Sequence, residues 1–134
     1  MSKNKPINVL TVHTHPIVAQ GIRSILLADQ RFAVEIVQNG NDCLKKMKEY
    51  KSDIVLIDLE LKDIYIIDLI GHLKKEDLNV KVLILAELSH EAYIIPAFSK
   101  GVSGFLPKNC SADELLEAID NVCNNQIYLS PDFN

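Results

Sequence analysis

Two histidines stand at a position where α/β proteins often carry their chemistry. His13, Thr14 and His15 follow an apolar run and precede a proline that can begin a helix. Imidazole nitrogen is a good ligand for zinc and similar metals, and Asp58 or Glu87 could complete such a ligand set. A catalytic histidine, or one that is hydrogen-bonded to Asp58 or solvent, is the alternative. Two histidines alone do not close a four-ligand site, so the interpretation depends on which elements bring these residues together.

The composition indicates one globular domain. The chain has 134 residues, of which 48% are hydrophobic and 24% are charged, as is typical of a single domain with a sizeable core. Its net charge of −4 gives no electrostatic reason for nucleic-acid binding by this domain. The three cysteines show no metal-binding spacing, which favours reduced thiols. No apolar stretch approaches the ~20 residues of a membrane span, and a cytoplasmic location is predicted.

Short β-type runs alternate with helical patterns five times along the chain. The predicted strands are Ile7–Val12, Ala33–Val37, Ile54–Ile57, Lys81–Leu85 and Gly104–Leu106. The third and fourth are continuously apolar, as expected of parallel strands that are covered on both faces. Five such units predict an α/β fold with a five-stranded, parallel, doubly wound sheet in the flavodoxin-like strand order 2-1-3-4-5.

The predicted helices differ in regularity. Ser111 begins a capping box ahead of the last helix. In the fourth helix, Ser89 is a plausible N-cap, but Pro96 would cost roughly 3 kcal/mol inside a regular helix. Residues 89–94 are therefore predicted to be partly unwound, or the helix to begin near Ile95.

Right-handed crossovers place the carboxyl ends of all the predicted strands at one edge of the sheet. In open α/β sheets this edge is where ligands bind. The residues that the pattern brings there are His13, Thr14, Asp58, Ala86, Glu87, Pro107 and Lys108. The histidines that follow the first strand therefore lie at the expected functional position.

The stretches around these residues resemble a known family. D-I-V-L-I-D-L, K-V-L-I-L and G-V-S-G-F-L-P-K are similar to the receiver domains of two-component response regulators, of the NarL/FixJ type that is joined to a LuxR-like helix-turn-helix. The similarity covers essentially the whole chain. It implies a receiver domain over residues 1–125 and, over residues 126–134, the start of a linker to a DNA-binding domain that is absent from this chain.

The resemblance implies roles for two residues. In the family, the aspartate that ends the third strand accepts a phosphoryl group from a histidine kinase, and Asp58 occupies that position. A lysine after the fifth strand contacts the phosphoryl group, and Lys108 occupies that position. Both residue types that the family uses for these roles are therefore present.

Other pocket positions depart from the family pattern. The paired acidic residues that hold magnesium are replaced by His13 and Thr14, and the Thr or Ser of the phosphorylation switch is replaced by Ala86. The usual Pro and Gly of the loop after the acceptor correspond to Lys62 and Ile66. Because magnesium prefers hard oxygen ligands, an imidazole and one hydroxyl are poor replacements for two carboxylates.

Three interpretations of the domain follow. In the first, Asp58 pairs with Lys108, no cofactor is bound, and the receiver is governed by dimerisation or partner binding. In the second, it is a conventional magnesium-dependent phosphoacceptor with a rebuilt metal site, for which His13, Asp58 and Glu60 are the metal-binding candidates and Glu87 a further carboxylate. The third is a stand-alone single-domain regulator that acts on a protein target.

The sequence also predicts partners. A histidine kinase or another regulatory protein follows from the resemblance, and DNA would be bound only through the missing domain. Apolar residues in excess of one core-facing stripe, at Tyr65, Ile67, Tyr93 and Ile94, favour a homodimer. No membrane contact is predicted. The common nucleotide-binding and hydrolase motifs are absent from the sequence, so the domain is not predicted to be an enzyme.

Overall fold

A parallel β-sheet organises residues 5–133, the part of the chain that the computed structural model describes. Its strands are β1 (Ile7–Val12), β2 (Phe32–Val37), β3 (Ile54–Asp58), β4 (Lys81–Ala86), β5 (Gly104–Pro107) and β6 (Tyr128–Leu129). The α-helices are α1 (Pro16–Leu27), α2 (Gly40–Glu49), α3 (Ile66–Glu76), α4 (Ile94–Ser99) and α5 (Ala112–Cys123). A 3₁₀ helix, Leu88–Tyr93, precedes α4. Residues 1–4 of the predicted receiver and Asn134 of the predicted linker lie outside the described residues.

The strand order is β2-β1-β3-β4-β5-β6, and every neighbouring pair is parallel. This order confirms the predicted α/β class and the flavodoxin-like arrangement of the first five strands. The predicted count of five strands is one too few, because Tyr128–Leu129 adds a sixth beside β5. A strand of two residues carries no alternating pattern that sequence analysis could detect.

The sheet separates two hydrophobic layers. Alternate residues of β3 point to opposite faces, so Ile54 and Leu56 join one cluster while Val55 and Ile57 join the other. The first cluster is covered by α1 and α5, and the second by α2, α3 and α4. Every residue of β3 is buried, which explains its continuous apolar run up to Asp58. No helix within residues 5–133 is long and apolar enough to cross a membrane.

The region around Pro96 has the irregularity that the sequence predicted. Residues 88–93 form a 3₁₀ helix, and His90 within it has non-helical backbone angles of φ −91° and ψ 19°. Pro96 is the third residue of α4, where its missing N–H would have no intrahelical partner. The predicted N-cap at Ser89 was wrong. The 3₁₀ helix begins at Leu88, and Glu87 is its N-cap.

Packed structure continues beyond residue 125. The Tyr128 hydroxyl donates a hydrogen bond of 2.8 Å to Oε2 of Glu114 in α5, and the Ser130 N–H donates to the Phe105 carbonyl at 3.1 Å. Phe133 is buried and its ring meets that of Phe105 edge to face, with centroids 5.1 Å apart. These contacts attach the end of the described chain to the sheet. That the segment leads to a further domain stays a prediction.

Candidate functional site

The centre of the candidate site is a buried carboxylate at the carboxyl edge of the sheet. Asp58 is the last residue of β3, the strand at the middle of the sheet, and its side chain is only 4% exposed. The backbone N–H of Glu60 donates a hydrogen bond of 2.9 Å to Oδ1 of Asp58. A central strand covered by helices on both faces therefore delivers one polar side chain to the edge where ligands bind in this architecture.

Lys108 brings a positive charge to this carboxylate. It directly follows β5, and its N–H donates to the Ala86 carbonyl at 2.8 Å, which fixes the backbone beside β4. Its ammonium nitrogen Nζ lies 3.1 Å from Oδ1 of Asp58 and 2.6 Å from Oε1 of Glu60. Oε2 of Glu87 is 3.7 Å away. Three carboxylates therefore surround a single ammonium group.

The protonation of these groups follows from their contacts. Burial alone would raise the pKa of Asp58, but the His13 imidazole, the Glu60 N–H and Lys108 outweigh it and lower that pKa to about 2. Lys108 lowers the pKa of Glu60 through its hydrogen bond. Burial opposes the charge on Lys108, yet Glu60 and Asp58 raise its pKa above the ordinary value. Asp58 and Lys108 are both ionised at neutral pH.

His13 approaches the other oxygen of the carboxylate. It follows β1, is 1% exposed, and places Nδ1 at 3.9 Å from Oδ2 of Asp58. That distance is too long for a hydrogen bond. Neither ring nitrogen of His13 has a hydrogen-bond partner within residues 5–133. Of the two partners predicted for His13, Asp58 or solvent, Asp58 lies beyond hydrogen-bond distance.

The remaining predicted residues are placed as follows. Thr14 is half-buried ahead of α1, and Ala86 is fully buried at the end of β4. His15 is exposed at the N-cap position of α1, where its side chain makes no capping hydrogen bond. Within residues 5–133, no three His, Cys, Asp or Glu side chains form a group that could hold a metal ion. The zinc ligand set considered from the two histidines is thus not assembled.

One participant was missed by sequence analysis. His90, in the 3₁₀ helix, places Nε2 at 3.6 Å from Oε2 of Glu60, and its Nδ1 accepts a hydrogen bond of 3.1 Å from the Glu87 N–H. A single histidine within an irregular turn has no periodicity that predicts this contact. Only the approach of the loops after β3 and β4 brings it to the site.

The loop between Asp58 and α3 is anchored to α2. The Asp63 carboxylate accepts hydrogen bonds from the N–H groups of Gly40 and Asn41 at 3.0 and 2.8 Å, which caps that helix from outside. A Cβ at Gly40 would stand 3.1 Å from the Ile64 side chain, so glycine permits the close approach. This loop is therefore tied to the neighbouring helix by backbone and packing contacts.

The sheet order and this site define the class of protein to which the chain is similar. The sequence model of the response regulator receiver domain matches residues 9–120. The chain belongs to the response regulator receiver domain family.

Individual relatives refine this assignment. The transcriptional regulatory protein DegU of Brevibacillus brevis is 28% identical over 98% of this chain and 56% of that protein. The response regulator protein VraR of Staphylococcus saprophyticus is 32% identical over 90% of this chain and 58% of that protein. The nitrate/nitrite response regulator protein NarL of Escherichia coli K12 is 22% identical over 97% of this chain and 61% of that protein. The chain thus spans less than two thirds of the length of these relatives. Their names confirm the predicted NarL/LuxR type.

Solved structures agree with the fold. A LuxR-family two-component response regulator from Aurantimonas sp. SI85-9A1 superimposes with a TM-score of 0.88 at 27% identity, covering 96% of this chain and 92% of that chain. The isolated receiver domain of RcsB from Salmonella enterica serovar Typhimurium, in the presence of phosphomimetic BeF3−, has a TM-score of 0.84 at 17% identity, with 96% coverage of both chains. The second similarity concerns the fold alone.

Proposed function

We propose that this chain is the signal-input domain of a two-component response regulator that controls transcription, and that its phosphorylation pocket is atypical. The family and the regulatory names of its relatives support the first part. Its partners are a histidine kinase or another regulatory protein. DNA is bound through a C-terminal helix-turn-helix domain outside this chain, for which the greater length of the relatives leaves room.

The roles proposed for Asp58 and Lys108 rest on their pairing. Asp58 occupies the phosphoacceptor position and Lys108 the phosphoryl-contacting position, and their 3.1 Å contact at the sheet edge supports both assignments. The single observation that carries the atypical character is that nitrogen atoms face both oxygens of Asp58. Lys108 Nζ lies beside Oδ1 and His13 Nδ1 beside Oδ2.

Magnesium does not fit this donor set. The ion requires hard oxygen ligands in near-octahedral geometry, whereas the Asp58 carboxylate faces three nitrogen groups: the Glu60 N–H, the Lys108 ammonium group and the buried His13 imidazole. Transfer of a phosphoryl group to an ionised carboxylate brings two negative charges together, and a metal ion ordinarily offsets that repulsion. Without it, Asp58 is a poor acceptor.

The switch that would follow phosphorylation is also incomplete. Ala86 ends β4 with a methyl group, which cannot donate a hydrogen bond to a phosphoryl oxygen. A receiver with this pocket is governed by dimerisation or by binding of a protein partner. Tyr65 is exposed, and its ring lies 6.3 Å from that of Tyr93, which supports an apolar association surface in this region. Sedimentation velocity over a concentration series tests the dimer.

A direct phosphorylation assay tests the proposed pocket. The domain is incubated with a small-molecule phosphodonor and magnesium, and its intact mass is measured. We expect no adduct, or only a trace, on Asp58. The Asp58→Asn variant is the control, because any adduct that persists in it lies on another residue. A stoichiometric phosphoryl adduct on Asp58 contradicts the proposal.

A conventional magnesium-dependent receiver is the second candidate. The observation that favours it is Glu60, whose half-exposed carboxylate lies beside Lys108 and next to Asp58 and could replace a lost acidic residue. Amide spectra of the domain with magnesium and beryllofluoride separate the two candidates. Changes around Asp58 that require magnesium favour the conventional receiver, and unchanged spectra favour the atypical one.

A further inference from the structure

The carboxylate of Glu60 contacts two basic side chains, which belong to different loops. Its Oε1 is 2.6 Å from Lys108 Nζ, and its Oε2 is 3.6 Å from His90 Nε2. Glu60 follows β3, His90 belongs to the 3₁₀ helix after β4, and Lys108 follows β5. One carboxylate therefore connects the loops at the carboxyl ends of three neighbouring strands.

The connection continues within the loop after β4. The Glu87 N–H donates to Nδ1 of His90, which leaves Nε2 of this ring to face Glu60. Glu87 also places its own carboxylate 3.7 Å from Lys108. The start of the 3₁₀ helix is thus attached to the sheet edge by two polar contacts, His90 with Glu60 and Glu87 with Lys108.

The 3₁₀ helix is only partly packed, with Tyr93 as the residue that lies against the core cluster and the Tyr65 ring. None of the residues Leu88–Tyr93 is buried, and a segment with few buried apolar contacts opens at low free energy. Leu88 is half-exposed. The polar contacts of Glu60 and Glu87 therefore hold the start of this segment, whereas Tyr93 packs at its end.

We infer that the Glu60 carboxylate occupies the position beside Lys108 Nζ where an external oxyanion would otherwise bind. From that position it holds the 3₁₀ helix in place without a phosphoryl group. The inference rests on the proposed function, in which the pocket is not driven by phosphorylation. It assigns to this loop residue the anionic contact that an external tetrahedral oxyanion would otherwise supply.

The geometry of Lys108 explains why an external anion is excluded. Lys108 Nζ donates a hydrogen bond to Glu60 at 2.6 Å and has carboxylate oxygens of Asp58 and Glu87 at 3.1 and 3.7 Å. The pKa values of Asp58 and Glu60 are both lowered, so these two ionised carboxylates outweigh the single charge of the ammonium group. An incoming oxyanion must displace Glu60 and approach against that charge.

Hydrogen exchange of the 3₁₀ helix tests the positioning role. In the Glu60→Ala variant we expect amides in residues 88–94 to exchange about fivefold faster than in the parent chain. The reason is that the loss of an ion pair lowers the free energy of local opening. Glu60→Gln, which keeps an acceptor but removes the charge, should give a smaller increase. Glu91→Gln removes the same charge from an exposed position in the same 3₁₀ helix and should leave exchange unchanged. Unchanged exchange in Glu60→Ala, or an equal increase in Glu91→Gln, overturns the inference.

Anion titration tests the occupancy. Inorganic phosphate and beryllofluoride, each without magnesium, are added to the parent chain and to both Glu60 variants while amide spectra are recorded. We expect shifts at residues 87–90 and 108 in Glu60→Ala, weaker shifts in Glu60→Gln, and none in the parent chain. Equal binding by all three overturns the inference.

The proposed function fails separately, through a stoichiometric magnesium-dependent adduct on Asp58 of the parent chain. Circular dichroism confirms that the variants are folded, as the 52% exposure of the Glu60 side chain leads us to expect.

Discussion

Nζ of Lys108 and Oδ1 of Asp58 lie 3.1 Å apart, although the two residues are separated by fifty positions in the sequence. The parallel registers of β3 with β4 and of β4 with β5 bring them together, since Asp58 pairs with Leu85, and Ala86 with Pro107. An ammonium group therefore reaches a buried carboxylate at the carboxyl edge of the sheet.

Removal of the lysine should destabilise the domain. Lys108→Met leaves the carboxylates of Asp58, Glu60 and Glu87 facing one another without a counter-charge. We expect the free energy of unfolding to fall by about 2 kcal/mol in urea denaturation, because a buried charge loses its partner. Lys45→Met is the matched control, since Lys45 is an exposed residue of α2. A loss of stability no larger than that of the control contradicts the prediction.

Stability should depend on the ionisation of Asp58. Its pKa is lowered in the folded chain from the ordinary value of 3.8 to about 2, so the ionised group stabilises the fold above 3.8. This contribution, about 2 kcal/mol in full, is lost as the pH falls from 3.8 through about 2. Urea unfolding at neutral pH and at the acidic end of this range should show a smaller decrease in Asp58→Asn than in the parent chain. Equal decreases in both would mean that Asp58 does not carry the effect.

Restoration of the missing groups should create a phosphorylation response. The triple variant His13→Asp, Thr14→Asp and Ala86→Thr supplies the acidic pair and the hydroxyl that the family pattern contains. We expect a magnesium-dependent phosphoryl adduct by intact mass, because the added carboxylates bind the ion that offsets charge repulsion. Addition of Asp58→Asn to this variant should abolish the adduct. If the triple variant stays unmodified, the loop at residues 62–66 also blocks the reaction.

The segment after α5 should contribute to the stability of the domain. Phe133→Ala removes a buried ring that packs against Phe105, and we expect the free energy of unfolding to fall by about 2 kcal/mol or more. Ile127→Ala alters an exposed side chain in the same segment and should have little effect. Equal stabilities of the Phe133→Ala and parent chains would show that this segment does not belong to the folded unit.

Much of the fold could be predicted because its signals are local. The buried run that ends at Asp58 indicates a central strand, and Pro96 indicates an interrupted helix, since each depends on neighbouring residues only. The strand at Tyr128–Leu129 was missed, because its pairing with β5 depends on long-range hydrogen bonds and the docking of Tyr128 on Glu114. No pattern within two residues predicts such a partner.

For the site, the sequence by itself determined which polar residues end the strands. Asp58 and Lys108 could therefore be assigned to one edge of the sheet before any distance was known, because parallel strands with right-handed crossovers end on the same side. Only the tertiary structure decided that Glu60 turns toward Lys108 and that His90 reaches Glu60. These contacts are made by loop side chains, whose directions depend on the packing of three separate strands and follow no sequence period.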